Sequence, residues 1–490
     1  MHNKQTQLLF LWMLMLSLST NAQTFLTLDS CRSLAMAHNK NLLIAQEQVN
    51  AAQAERKAAF TNYLPTLSVT GGYVRSQKEV SLLNNEQKSF LNGMGTLAGN
   101  SLNQAAQALA TQYPDLVPLI QSLGSAMVDP LNQAGHALTD ALRTDTRNMY
   151  VGVLTLTQPL FMGGKIRAYD QITRYAEQLA TQQQRGAEQE VILSVDQAYW
   201  QIVSLEHKWQ LATAYRDLLA RLQSDVDKMI AEGVATRADG LTVRVKLNEA
   251  EMTLLKVDDG RHLARMLLCQ LCGLSLTEDL VLADQVTADS LVSMDSTRTP
   301  IDMGQVFEAR PEVQSLHLAM NMYQKKVDVA RADYFPTLAL VGNYLVSNPS
   351  VFNGFEQKFR GSWNVGILLQ AHLWDWGGRR HKVRAARSEA NIARYRLEDA
   401  REKVELQVRQ AAYQVDEAAK KWQLAVSNRD KAAENLHYAD VGFREGVMSV
   451  TNVMEAQTAW LQARSALIDA WIDVQLTEVC LQKALGHTLR

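Results

Sequence analysis

Two stretches of the chain keep an apolar rhythm of 3.5 residues for far longer than a globular helix lasts. Ile166 to Glu232 holds no proline and only Gly186, and Arg379 to Glu445 holds only Gly442. In the first, Ile192, Val195, Tyr199 and Ile202 step by 3, 4 and 3, and so do Leu219, Leu222, Val226 and Met229. In the second, Val404, Val408, Ala411, Val415, Ala418, Trp422 and Ala425 step by 4 and 3, and the seam runs on through Ala432, Leu436, Ala439 and Phe443. A sustained 3.5-residue period gathers one seam for packing against other helices along the whole length. At a rise of 1.5 Å per residue, about 65 residues of helix reach roughly 100 Å, which predicts coiled-coil rods. An ordinary amphipathic surface helix is the alternative, and length without a break argues against it.

A second rhythm, of period two, marks four short segments: Leu64–Arg75, Met149–Phe161, Thr337–Val346 and Ser362–Trp374. In the last, Trp363, Val365, Ile367 and Leu369 share one face, while Asn364, Gly366, Gln370 and His372 mostly share the other. In the first, Thr66, Ser68 and Thr70 alternate with Leu67, Val69 and Tyr73. Each has about the 9–11 residues that a tilted strand needs to cross a bilayer. Tyr73, Tyr150, Tyr344 and Trp363 stand near the loop-side ends, where an interfacial aromatic girdle is expected. Four strands cannot close a barrel, and an open sheet edge in lipid leaves its backbone groups without partners. Strands in a membrane therefore force oligomerisation, and three chains supply a plausible closed barrel of twelve. A small soluble sheet with one covered face is the alternative.

The chain is a duplication. YLPTLSVTGGY (Tyr63–Tyr73) returns 271 positions later as YFPTLALVGNY (Tyr334–Tyr344), and VGVLTLTQPLFMGGK (Val151–Lys165) returns at an offset of 214 as VGILLQAHLWDWGGR (Val365–Arg379). Tyr199 keeps that offset to Tyr413; KWQLA, Glu-Gly-Val and Gly273 recur at an offset of 213, the last as Gly486. Each half reads as helix, strand, loop, strand, very long helix, tight turn, helix. The first repeat spans residues 23–276, with strands 64–75 and 149–161, a loop insert 76–148 and a helical hairpin 166–276 whose tip is 232–239. A linker, 277–300, leads to the second repeat, 301–490, with strands 337–346 and 362–374 and a hairpin 379–489 whose tip is 445–452. Proline at Pro65 and Pro336 suits a helix-to-strand switch, because it cannot continue a helix and pushes its predecessor toward extended geometry. Gly163-Gly164 and Gly377-Gly378 mark the return, where unusual dihedrals are needed. The insert, rich in Asn, Gln, Ala and Gly, reads as an extracellular loop with one or two short helices near Leu102–Ala110 and Leu116–Met127. A variable solvated loop, a plug, a shield and a binding surface all fit it.

Residues 1–22 carry Lys4, the apolar core Leu8–Leu16 and small Thr20 and Ala22 ahead of Gln23, the pattern of a secretory signal peptide. Beyond it no run of 18 apolar residues predicts a membrane helix. The 49 basic and 51 acidic residues nearly balance, so no basic excess points to nucleic acid. Cys31, Cys269, Cys272 and Cys480 are too few for a disulfide scaffold. Cys269 and Cys272 form a single CxxC inside an apolar helical run, best read as buried structural thiols; a disulfide, a metal or redox chemistry are the alternatives. There is no phosphate-binding GxxxxGK[ST], HExxH or GxSxG, and His372, His381, His437 and His487 fall in different elements. An enzyme is not indicated, and no cofactor or metal is expected.

The ordered series of Tyr-x-Pro entries, QPLFMGGK and HLWDWGGR exits and Gly-x-x-Ser/Thr hairpin turns resembles the TolC family of outer-membrane efflux proteins over nearly the whole chain after the signal peptide. The resemblance implies a mostly helical, internally duplicated subunit with a membrane β part. Long antiparallel coiled-coil hairpins form a periplasmic α-barrel, and four strands per chain enter a trimeric twelve-stranded β-barrel. It implies a homotrimer in Gram-negative outer-membrane lipid, a passive duct for small molecules or polypeptides in tripartite efflux or type I secretion. Its partners are a periplasmic adaptor (membrane fusion) protein and an inner-membrane transporter. Tyr63, Pro65, Tyr334 and Pro336 then mark helix-strand junctions. Gly233, Val234, Thr236, Gly446, Val447 and Ser449 become adaptor-docking candidates, although helix capping alone also accounts for such turns. Family members can carry two acidic residues one helical turn apart beyond the second tip; the matching positions are Asn452 and Glu455, of which only the second is acidic. A ring of Glu455 attracts cations, with a solvated helix-face glutamate as the alternative reading. A periplasmic coiled-coil scaffold or adaptor is the rival function, and it needs no strands.

Overall fold

The computed structural model describes residues 25–77, 83–109, 114–142, 146–277, 280–285, 300–352 and 356–487. The predicted signal peptide and most of the predicted linker lie outside them. The chain divides into two compact units: a helical one (up to Lys57, Ala168–Ala330 and from Arg380 onward) and a smaller one (Ala58–Arg167 with Arg331–Arg379) that holds the main sheet.

In the helical unit the two long helices, Lys165–Ala231 and Gly378–Arg444, have 67 residues each, about 100 Å at the α-helical rise. Each turns into a return helix, Arg237–Cys272 or Val450–Ala484. Most of the predicted seam is buried: Ile192, Val195, Tyr199, Ile202, Leu219, Leu222 and Val226 in the first long helix, Val404, Val408, Ala411, Val415, Ala418, Ala425, Ala439 and Phe443 in the second. Met229, Trp422, Ala432 and Leu436 are only half-buried. The opening segment of each repeat is a helix broken once, Leu28–His38 then Lys40–Phe60, and Met303–Ala309 then Pro311–Ala332. The break residues, Asn39 and Arg310, both have extended dihedrals. Each reaches the end of its return helix: Asn39 Nδ2 donates to the Leu271 carbonyl and Arg310 Nη1 to the Lys483 carbonyl, both at 3.0 Å. Those helices stop at left-handed Gly273 and Gly486, where a Cβ would press on His38 and Ala309 respectively. The duplication thus extends to the capping details.

A short parallel pair, β1 (Phe25–Leu26) with β4 (Val281–Leu282), covers the first core, in which Leu26, Cys31, Tyr199, Leu268, Cys269, Cys272 and Leu282 pack. Cys269 and Cys272 are buried free thiols, as read from sequence, and Cys31 is buried beside them. Two polar contacts anchor this core. Asp196, with no exposed surface, receives Arg32 Nε at 2.8 Å and Nη2 at 2.7 Å, and the buried Tyr199 hydroxyl donates to Asp284 at 2.6 Å.

The second unit contains an antiparallel sheet in the order β2 (Thr66–Arg75), β3 (Asn148–Met162), β5 (Thr337–Asn348), β6 (Arg360–Gln370). The first strand starts at Thr66 rather than Leu64, whose N–H is taken by the Thr61 carbonyl at 2.9 Å. The last strand ends at Gln370, not Trp374. Gln370 pairs with Thr337, and beyond Thr337 stands Pro336, which has no N–H to extend the ladder. The insert departs further from expectation. It contains three helices, Asn85–Asn92, Met94–Leu109 and Val117–Ala141, longer than the short ones read from sequence. Their packing depends on glycine: a Cβ on Gly95 would collide with the Val128 carbonyl and one on Gly135 with that of Leu91. Backbone-to-backbone packing of this kind leaves little apolar periodicity to read.

Removing the carboxylate with Asp196→Ala leaves the Arg32 guanidinium, 15% exposed, without its buried partner. The expected cost is about 3 kcal/mol, seen as a lower unfolding temperature of detergent-solubilised protein. Asp29→Ala, at a carboxylate 83% exposed to solvent, should cost less than about 0.5 kcal/mol.

Candidate functional site

Strand pairing sorts the sheet into two faces. One carries Leu67, Val69 and Tyr73 on β2; Leu156, Leu154 and Tyr150 on β3; Leu338, Leu340 and Tyr344 on β5; and Leu369, Ile367, Val365 and Trp363 on β6. This face is open: Leu67, Val69, Val365 and Ile367 expose 63–77% of their surface. The expected girdle residues lie on it, with the Tyr73 and Tyr150 rings 4.9 Å apart and Tyr344 directly paired with Trp363. The other face brings Thr66, Ser68, Thr70, Thr155, Thr157, Asn343 and Asn364 together, the two asparagine side chains hydrogen-bonded at 3.1 Å. An apolar belt with aromatic ends on one side and hydroxyls and amides on the other is the division between lipid and lumen in a barrel wall. The two edges, β2 and β6, have no partner strand within the described residues.

The junctions lie at the other end of the strands. Tyr63 closes a short 3-10 turn, and its carbonyl accepts from Gln158 Nε2 at 2.9 Å. Tyr334 follows the helix Pro311–Ala332, where Lys165 pairs with Asp333 at 3.2 Å and the Arg379 guanidinium lies 5.5 Å over the Tyr334 ring. Gly163 and Gly164 both have positive φ, and a Cβ on Gly163 would strike the Ala332 carbonyl. In the second repeat the left-handed pair is Trp376-Gly377, so the expectation for Gly378 is corrected: it opens the long helix in ordinary geometry. Asp375 explains the shift. Its carboxylate accepts from the Arg379 N–H at 2.8 Å and from Arg379 Nε at 2.9 Å, which starts the helix one residue early. Those bonds, the Arg379 backbone N–H foremost, hold its carboxyl below the usual range.

At the tips, Gly233 and Gly446 sit at φ 76° and 73°, and Val234 and Val447 donate back to the Met229 and Gly442 carbonyls at 2.9 and 2.8 Å. Thr236 and Ser449 cap the return helices. Thr236 forms a reciprocal box, accepting from the Asp239 N–H at 3.2 Å while Asp239 accepts from the Thr236 N–H at 3.0 Å. Val234 and Val447 expose 70% and 82% of their surface at the turns. Asn452 and Glu455 are exposed one helical turn apart on the second return helix. Among the described residues no cluster of three or more His, Cys, Asp or Glu could hold a metal, and no helix is apolar and long enough to cross a membrane.

Sequence reasoning missed one signal in the helical unit. Positions equivalent by duplication differ sharply in burial: Tyr199 is 0% exposed and Tyr413 69%, Leu211 7% and Leu424 72%, Met454 7% and Leu241 61%. Each pair keeps the repeat offset, so the second long helix and first return helix carry faces built to be covered that this chain leaves open.

The sequence pattern described as Outer membrane efflux protein matches residues 100–274 and 303–487, one segment in each repeat. The chain belongs to that family. It is 25% identical over 357 residues to the alkaline protease secretion protein AprF of Pseudomonas aeruginosa, covering 69% of this chain and 72% of that one. It is 23% identical over 410 residues to the pyoverdine export outer membrane protein OpmQ of the same species, covering 82% and 84%. In fold it is similar to CusC (TM-score 0.72, 16% identity, 96% of each chain) and to VceC of Vibrio cholerae (TM-score 0.70, 14% identity, 94% of this chain and 97% of that one). The family member described here is an outer-membrane channel of efflux or secretion type, and its fold is the TolC-like one.

The Thr236 hydroxyl, with its backbone N–H, holds the Asp239 carboxyl below the usual carboxylate range. A depressed folded value means the box stabilises the first tip fully above the unfolded carboxylate pKa and is lost as pH falls through the folded one. Protection of the tip amides, measured relative to their intrinsic exchange rate at each pH, should therefore fall in acid, and Asp239→Asn should flatten that dependence.

Proposed function

We propose that three copies of this chain close a twelve-stranded barrel and form a passive duct, opened by an adaptor that docks on the hairpin tips and powered by an inner-membrane transporter. The observation that carries this reading is the four-stranded sheet with an open apolar face and two unpaired edges. In lipid, each edge exposes a row of backbone groups, and pairing β2 of one copy with β6 of the next satisfies them. The exposed Tyr413, Leu424 and Leu241 support the same assembly, because a neighbouring copy can cover them as Tyr199, Leu211 and Met454 are covered within the chain. A periplasmic scaffold has no use for the sheet.

The roles at the tips follow from this reading. Gly233, Val234, Thr236, Gly446, Val447 and Ser449 present stiff, capped turns with an apolar residue outward, suited to packing against a helical hairpin of the adaptor. Glu455 forms a single ring of three carboxylates about the threefold axis, with the neutral Asn452 one turn away. The cargo class, small molecule or polypeptide, is set by the transporter to which the duct is coupled.

The protein should leave the outer-membrane fraction only with detergent and run unheated near three times its 54.8 kDa mass, collapsing to one on heating. A soluble monomer refutes the duct. In planar bilayers Glu455→Gln should reduce cation preference without changing that mass; an unchanged preference removes Glu455 from the gate.

A further inference from the structure

The helical insert leaves an apolar stripe with no cover among the described residues. Helix Val117–Ala141 turns its glycines, Gly124 and Gly135, to the other insert helices. Leu116 at its cap, then Leu119, Leu123, Met127 and Leu138, fall on one neighbouring flank about 100° wide. These five expose 40–57% of their surface. Ser125, Asp129, His136 and Asp140 occupy the remaining flank. This is an amphipathic helix with one apolar side used for its own packing and a second left bare.

Chain path and charge both identify the occupant. The insert rises from the hairpin between β2 and β3, and β2 is the edge strand that must meet the next copy. The ladder continues past Arg75, where the Ser76 N–H donates to the Arg147 carbonyl at 2.8 Å. The insert is therefore rooted at the seam between copies. Residues 83–142 hold four acidic residues and one basic one, Lys88. Anionic lipid headgroups need a basic rim, and this stripe has none. The acidic side chains Asp129 and Asp140 lie on the opposite flank of the helix, so the leucine and methionine stripe meets the same stripe of a second copy with these charges turned away.

We propose that the inserts of the three copies pack together through the Leu116–Leu119–Leu123–Met127–Leu138 stripe, forming a helical collar on the loop side of the barrel. The collar ties the copies together outside the strands and narrows the exit of the duct. It rests on the trimeric reading above.

The test uses the full-length protein in outer membranes, with Cys480→Ser to remove the one native thiol that is not buried. A bismaleimide should join Leu123→Cys copies into a covalent dimer at least about tenfold more than Asp129→Cys copies on the polar flank, because packed stripes hold the thiols at high effective concentration. Leu119→Ser with Leu123→Ser, both at exposed positions, should lower cross-linking through Met127→Cys by a similar factor while the unheated trimer mass stays the same. A trimer that shows no preference for Leu123→Cys overturns the collar alone. So does strong quenching by brominated lipid of a fluorophore attached at Leu123→Cys, which puts the stripe in the membrane. Loss of the trimer itself overturns the trimeric reading and the collar with it.

Discussion

Everything about this subunit depends on the cost of an open sheet edge in hydrocarbon. A four-stranded antiparallel sheet can satisfy its inner strands, but β2 and β6 each keep a row of N–H and C=O groups pointing outward. Water would pair them and lipid cannot, at several kcal/mol for each unsatisfied group. The apolar face of Leu67, Val69, Val365 and Ile367 suits lipid, and in the proposed trimer the edges are paired by other copies. The strand count per chain and the oligomer are one constraint, and the residues that enforce it are the unremarkable leucines and valines of the sheet.

Duplication extends that constraint to the helical unit. A chain that crosses into the sheet twice must leave it twice, and the two long helices of 67 residues are the matched result. Equivalent residues then divide into a covered set and an open set. Tyr199, Leu211 and Met454 are buried inside the chain, while Tyr413, Leu424 and Leu241 carry the same chemistry in solvent. Other equivalent pairs, Val226 with Ala439 and Val243 with Ala456, are buried in both repeats, so the contrast is confined to particular faces, and in the proposed trimer those are the faces between copies.

Much of this was legible before any coordinates. The 3.5-residue seams picked out many of the buried positions of both long helices, and the four alternating segments located the strands to within a few residues. What sequence could not supply falls where a single contact outside the apolar pattern decides. The end of β6 is set by Pro336 on the strand beside it, a partner that no local pattern in residues 371–374 reveals. The start of the second long helix is set by the Asp375 carboxylate, which moves the left-handed pair to Trp376-Gly377. The insert reads from sequence as a loop with only one or two short helices because Gly95, Gly99, Gly124 and Gly135 pack its helices without an apolar stripe on the packed side. At the tips, motif and capping geometry agree, because a well-capped turn is what a hairpin needs to be stable.

The insert also breaks the near-equivalence of the repeats. The long helices agree in length and the return helices end at equivalent left-handed glycines, so the proposed trimer offers six similar hairpins around its axis. The strand hairpins do not agree: the first carries three helices between its strands, and the second turns back within the residues between Asn348 and Arg360. An assembly that is nearly sixfold in its helices is therefore strictly threefold at the loop end of its strands. Because the added helices spring from an edge hairpin, they stand where two copies meet. There a leucine stripe with no partner of its own finds the same stripe on its neighbour by symmetry alone.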